Sequence, residues 1–221
     1  GTCMLHYIHS PFVSNLHPSN LRPGMRVSEI RDKNLLWEFC KANVPFQHML
    51  CLDGDEWLSV DAIRNWPEAI GWLEREADIL HLPFVYLWDR EDQQRRDGIY
   101  GPGTDHHKAM SLPRLFTIKR VDEAHLFEMR FSWQGTNGGF HCGSVPRERF
   151  QRDGDRSIHG GTFPHLIVHA GYIDEEMRQA KYRFYNMIDP HNEFEGEYKH
   201  VIGEPDRHAP GPVQFAPWVD E

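Results

Sequence analysis

Two short apolar runs constrain this chain more than any other feature. Residues 48–52 (HMLCL) and 84–88 (FVYLW) are of strand length, and a segment of helical period precedes each. From Ser28, Ile30, Leu35, Leu36, Phe39 and Cys40 fall on one broad face, with Glu29, Arg31, Asp32 and Lys33 mostly elsewhere. That pattern predicts a first helix, ended by Pro45. A second is predicted from an N-cap at Ser59, with Asp61 in its first turn, to about Ala77, Pro67 opening a separate segment. The unbroken run 48–52 reads as a strand covered on both faces. Helix, strand, helix, strand is the order of an α/β sheet.

The remaining chain fits the same class. Residues 4–8 predict a short strand, followed by a Pro- and Asn-rich loop to Gly24, and 89–111 a long polar loop of the kind that carries function. Residues 115–119 and 126–133 predict two strands turning near Asp122, and 163–169 another. A glycine-rich stretch, 135–143, precedes a charged loop over 147–156. The segment 174–187 predicts a helix, acidic in its first turn, with Arg178, Lys181 and Arg183 later, as the macrodipole favours. A short helix is expected within 193–202. The organisation expected is one domain over 1–203 and a Pro-rich tail over 204–221, extended or disordered.

Charge and cysteine content narrow the function. With 24 Lys plus Arg against 33 Asp plus Glu, the chain of 221 residues carries a formal charge of −9, the wrong sign for a sequence-independent nucleic-acid binder. No apolar run is long enough for a transmembrane segment. Cys3, Cys40, Cys51 and Cys142 are scattered, without a C-x-x-C pair, and a reduced, cytoplasmic setting is the expectation.

The acidic triplet Asp53-Gly54-Asp55 follows the first apolar run directly. With 16 Asp in the chain, about one D-x-D is expected by chance, and a second occurs at Asp153-Gly154-Asp155. Position distinguishes them. The first lies where a strand ends, the place at which open α/β sheets bind ligands, and paired carboxylates there suit a hard divalent cation. The same pair would also serve as an acidic turn ahead of a helix.

The segment 33–59 (KNLLWEFCKANVPFQHMLCLDGDEWLS) resembles the metal-binding core of family 2-like, inverting GT-A nucleotide-sugar glycosyltransferases. The resemblance continues in order through Leu112-Pro113-Arg114-Leu115-Phe116 and through 165–172 (HLIVHAGY). After these come Glu176, Arg178, Lys181, Tyr185 and Asp189-Pro190. It covers roughly 28–202. It implies a GT-A-like, Rossmann-like mixed sheet flanked by helices, partial at the N-terminus, with Gly1-Thr2 standing at the end of a D-G-S-x-D-G-T stretch. On that alignment the first strand–helix–strand unit lies before the chain, although it normally carries much of the base pocket.

The activity implied is transfer of a sugar from a UDP- or GDP-sugar to a carbohydrate or other hydroxyl acceptor, with inversion. Asp55 would ligate Mn²⁺ or Mg²⁺, Asp53 would contact the ribose or the metal through water, and His169 would be a third ligand, favouring manganese. Arg31, Lys33, Asn34 and Arg114 would serve the donor, the cations by neutralising the leaving diphosphate. Glu56 and Trp57 would face the acceptor. The general base is expected at His141, in Gly139-Phe140-His141-Cys142 where relatives carry V-H-E, with Asp105 and Glu128 in reserve. Asp105-His106-His107 belongs to a loop suited to close over the donor.

Two alternatives stand beside this one. Cys142 with His165 or His169 and Asp189 has the residue types of a thiol acyl-transfer site, although Gly143 and Pro146 deny the cysteine a helix N-terminus. A glycosyltransferase-like module that binds or assembles without catalysis is the other.

Overall fold

The computed structural model describes residues 29–100, 111–119, 121, 123–132, 143–146, 159–191 and 197–220, and these carry an α/β fold built on a curled mixed sheet. Helix α1 (Glu29–Asn43) leads to β1 (His48–Leu50), then β2 (Glu56–Leu58), α2 (Val60–Arg64), α3 (Trp66–Arg75) and the long strand β3 (Ile79–Trp88). β4 (Arg90–Arg95), a 3₁₀ turn, β5 (Ser111–Thr117), α4 (Glu123–Glu128), β6 (Gly160–Thr162), β7 (Ile167–Tyr172), α5 (Glu175–Ile188), a second 3₁₀ turn and β8 (Phe215–Pro217) follow.

β3 organises the sheet. Its first half pairs with β5, antiparallel, and β6, parallel; its second half pairs with β7, parallel, and β4, antiparallel. Pro83 sits where the partners change, a point at which a missing N–H interrupts no continuous ladder. Alternation along β3 sends Leu80, Leu82 and Phe84 to one face, where Ala69 and Leu73 of α3 cover them with Leu115, Phe163 and Ile167. Ile79 points to the other face and joins Phe116, Met129, Phe131, Val145 and Trp37 of α1. Each fully buried side chain of this kind contributes about 1.5–3 kcal/mol.

The helix boundaries follow local chemistry. The Ser59 side chain accepts from the Ala62 N–H, Asn65 separates α2 from α3, and Pro67 stands in the first turn of α3. Asp174 caps α5 through the Met177 N–H.

Four expectations need correction. The buried stripe of α1 is centred on Trp37, whose indole N–H donates to the Met129 carbonyl at 2.9 Å, while Leu35 and Phe39 face outward. As the unbroken apolar run predicts, both faces of β1 meet the core, Leu50 packing on one cluster and Met49 with Cys51 on the other, although β1 is half-buried and, among the described residues, pairs only with β5 at the sheet edge. Polar residues 90–95 of the expected loop form β4, held between β3 and β8. The segment expected as a strand from Leu126 is the end of α4 followed by extended coil. There Asn34 takes the role of a strand neighbour, donating to the Phe131 carbonyl at 2.9 Å and accepting from its N–H at 2.8 Å. The tail is extended but packed: Ala209 is buried, β8 pairs with β4, and Asp220 accepts from the Val60 N–H. The expected strand over 4–8 lies outside the described residues. Among the described residues no helix is long and apolar enough to cross a membrane.

Candidate functional site

The site grows out of the apolar core by a change of residue type along three neighbouring strands. In one row Leu58, Ile167 and Phe84 stand abreast on β2, β7 and β3. Two residues along each strand, on the same face, the row becomes Glu56, His169 and Tyr86. The parallel strands β3 and β7 run toward this end, and the 53–55 turn between β1 and β2 closes over it. The Glu56 N–H donates to the Asp53 carbonyl at 3.1 Å, the Asp53 N–H to Glu56 Oε2 at 2.9 Å, and the Ala170 N–H to the Asp55 carbonyl at 2.9 Å.

Arg114 ties three segments together beneath the turn. Its Nη2 lies 2.7 Å from Glu56 Oε1 and 3.2 Å from Asp53 Oδ2, its Nη1 donates to Ser144 Oγ at 2.6 Å, and the guanidinium stacks on Phe84. Its Nε is buried without a hydrogen-bond partner among the described residues. Burial, aided by the charge of Asp53 and opposed by Arg114, pushes the Glu56 carboxyl up to about 7. The Glu56 side chain is 2% exposed and both its oxygens are engaged, so it braces the turn.

Asp55 makes a second cluster. Its Oδ2 is 2.8 Å from Lys181 Nζ and 3.7 Å from His169 Nε2. The Gly171 N–H donates to His169 Nδ1 at 3.1 Å, which in a neutral ring leaves the proton on Nε2, toward Asp55. Burial lowers the His169 pKa to about 4 against the pull of Asp55, so the imidazole is uncharged at neutral pH. Burial works to raise the Asp55 pKa, but the charges around it outweigh burial and hold the group below its ordinary value. His169, protonated in the acid range where Asp55 titrates, leads these charges and Lys181 follows; at neutral pH, with His169 uncharged, Lys181 is the cation on Asp55. His169 stacks on Tyr172, whose ring also faces Lys181 Nζ at 5.0 Å.

The remaining predicted residues separate into those near the turn and those elsewhere. Lys33 reaches 3.9 Å from Asp53 Oδ1, whereas Arg31 lies against its neighbour Asp32, and the Asn34 amide is occupied by Phe131 as described. Neither Arg31 nor Asn34 is thereby placed as a donor contact. Glu56 and Trp57 cannot share an acceptor site, because adjacent strand residues point to opposite faces: Glu56 is buried and Trp57 is 42% exposed. Glu128 ends α4 and is exposed, in a segment whose Leu126 and Phe127 carbonyls meet Lys41, about 12 Å along α1 from Lys33. That position does not serve a base beside Asp53. His141 and Asp105 lie outside the described residues.

The thiol arrangement does not assemble from its described members. His165 pairs with Asp61, His169 faces Asp55, and Asp189 is buried against the Tyr198 hydroxyl at 2.6 Å. Cys142 lies outside the described residues.

Sequence reasoning placed Lys181 on a basic helix without giving it a place in the site. Its signal was positional: Arg178, Lys181 and Tyr185 recur at helical spacing, and Arg178 is buried, so that face of α5 turns inward.

As to a cation, no group of three or more His, Cys, Asp or Glu side chains is arranged among the described residues to hold a metal ion. A Cβ built on Gly171 would come 2.2 Å from Asp55 Oδ2, 2.3 Å from Lys181 Nζ and 2.6 Å from His169 Cε1, so glycine leaves a small cradle that a carboxylate and an imidazole border. A carboxylate oxygen and an uncharged imidazole suit Mn²⁺, with Asp53 one residue away across Gly54. Ligation through Nε2 requires the other tautomer of His169, without the Gly171 bond.

Comparison of the chain with family models, with curated proteins and with solved structures gave no match.

Proposed function

We propose that this chain is a glycosyltransferase of GT-A type, moving a sugar from a nucleoside-diphosphate donor to an acceptor hydroxyl with inversion. One observation carries the proposal: β2 and β7 bring Asp55 and His169, distant in sequence, to within 3.7 Å of each other at the end of parallel strands. The cations nearby suit the negative charge of a diphosphate. Lys33 and Arg114 face Asp53 and Lys181 faces Asp55; with His169 neutral they leave one positive charge over when Glu56, bonded to the same Arg114, is protonated below about pH 7.

The roles follow from exposure. Asp53 is 46% exposed on its side chain and is the group placed to meet a ribose. Arg114 is buried and holds the turn, so its work is positioning. Lys33 and Lys181 are partly exposed and suit donor oxygens. Mn²⁺ or Mg²⁺ would be held by Asp55 and His169, and would stabilise the leaving diphosphate. The base that takes the acceptor proton is assigned to His141 or Asp105, since Glu56 is enclosed and Glu128 lies along α1.

The test is release of UDP or GDP from UDP- and GDP-sugars in the presence of MnCl₂, with and without simple sugar acceptors. Asp55→Ala is expected to abolish release while the circular dichroism spectrum is kept. Turnover unchanged in Asp55→Ala rules the proposal out. Nucleotide binding without turnover by the wild type would favour the non-catalytic module.

A further inference from the structure

Asp55 Oδ2 already holds a cation that belongs to the chain. Lys181 reaches it from α5 with Nζ at 2.8 Å, and the ammonium rests at 5.0 Å on the face of Tyr172. The His169 Nε2–H faces the same oxygen. A divalent ion and an ammonium cannot both occupy one carboxylate oxygen, because their like charges repel strongly in a partly buried place. The cradle above Gly171 is small, so no second position is open on that side. Lysine, unlike a metal ion, is tethered by a flexible stem and can move without leaving. Lys181 and Asp55 are each about a quarter exposed on their side chains, so the pair borders solvent and the ammonium has somewhere to go.

We propose that Lys181 is an exchangeable cation: it neutralises Asp55 in the free protein, and it moves to the donor diphosphate when a divalent ion takes Asp55. The inference rests on the glycosyl-transfer proposal and adds a binding role for Lys181 to it. Exchange couples the two ligands. The divalent ion must displace Lys181 to enter, and the nucleotide gives the displaced ammonium an anion. Each ligand therefore tightens the other.

The experiment titrates the protein with MnCl₂, reading free Mn²⁺ by electron paramagnetic resonance, with and without saturating UDP or GDP. In the wild type the nucleotide is expected to tighten Mn²⁺ by tenfold or more. In Lys181→Met, Mn²⁺ alone is expected to bind about tenfold tighter than in the wild type, since the competing charge is gone. The nucleotide's tightening is expected to shrink to about twofold. Lys181→Arg, which keeps the charge, is expected to retain weak binding of Mn²⁺ alone. Thermal melting checks that each variant folds, and a Lys181→Gln variant replaces Lys181→Met should the latter not fold.

Mn²⁺ binding alone that is no tighter without Lys181, or absent from both proteins, overturns the inference. The wild-type nucleotide titration then says how far the failure reaches. If nucleotide binds, glycosyl transfer stands and only the lysine's role falls; if none binds at any Mn²⁺ concentration, both fall.

Discussion

Glu56 stands directly opposite His169 in the β2–β7 ladder, and the fold pushes both toward their uncharged forms. Burial is the leading cause in each case: it raises the carboxyl to about 7 and lowers the imidazole to about 4. Charge is thereby concentrated at the rim, on Asp53 and Asp55 with Lys33 and Lys181, while Arg114 is buried beneath them. A buried row kept close to neutral beneath a charged rim would suit a small ionic ligand at the surface.

Arg114 is the group that makes the buried end of this arrangement tolerable. Its replacement by Met leaves the Glu56 carboxyl without its guanidinium; the acid then takes up a proton, and a loss of about 1–3 kcal/mol in urea unfolding at neutral pH is expected. In Arg114→Met combined with Glu56→Gln, the buried acid is gone and most of the loss should be recovered. A double variant no more stable than Arg114→Met would mean that the arginine acts through its stacking on Phe84 and its bond to Ser144.

Gly171→Ala separates the cluster from the fold. The added methyl meets Asp55 Oδ2, Lys181 Nζ and His169 Cε1, all side-chain atoms able to move, so the stability cost should stay near about 1 kcal/mol. The ion pair cannot keep its 2.8 Å separation with that methyl present. Nucleotide affinity with Mn²⁺ is expected to fall tenfold or more in calorimetry, with melting nearly unchanged. A large drop in melting temperature without loss of affinity would count against the cradle.

These residues also show what the amino-acid pattern could and could not reveal. The cap at Ser59 and the break before Pro67 were legible because they depend on chemistry within a few residues, whereas Asp174, read as the first residue of its helix, is the cap. The acidic turn after the first apolar run was legible for the same reason. The face of α1 was not: Leu35 and Phe39 satisfy helical spacing as well as Trp37 does, and the choice was made by Met129 and Phe131 from a distant segment. β4 reads as loop because residues 90–95 are polar, and only pairing on both sides makes them a strand. The Asp55–Lys181 pair joins positions 126 residues apart, which no local pattern encodes.

His200 gives the molecule an acid-sensitive joint away from this site. It is buried beside Arg95 and His208, and both its N–H and its ring bond to Asp206. Burial holds its pKa below the ordinary 6.5 despite Asp206. The native ring is therefore neutral where the unfolded one is charged, so its contribution is complete above 6.5 and is lost as pH falls below that. Asp206, held below 3.8 by the bonds it accepts, adds a further loss at lower pH. Urea unfolding between pH 7 and 5 should show falling stability in the wild type and a flatter profile in His200→Gln. Equal slopes would show that His200 does not titrate differently on folding.

The C-terminal segment is held by an ion pair with no access to solvent at its arginine. Arg95 Nε and Nη2 each lie 2.8 Å from an oxygen of Asp97, its Nη1 donates to the His200 carbonyl, and Trp88 and Tyr100 stack on the guanidinium. Asp97 also accepts from the Gln214 N–H at 3.0 Å, which anchors the approach to β8. Asp97→Asn leaves Arg95 charged and only partly bonded, and about 3–5 kcal/mol of stability should be lost. Arg95→Met combined with Asp97→Leu removes both charges, so global stability should return close to the wild type, yet Gln214 loses the acceptor that Asp97→Asn keeps in its amide oxygen. Limited proteolysis then distinguishes the two functions of Asp97. Cleavage within 204–220 should be faster than in the wild type for the double variant, while only Asp97→Asn melts early. Protection of the tail in the double variant would show that β-pairing of residues 93–95 with 215–217 holds it without Asp97.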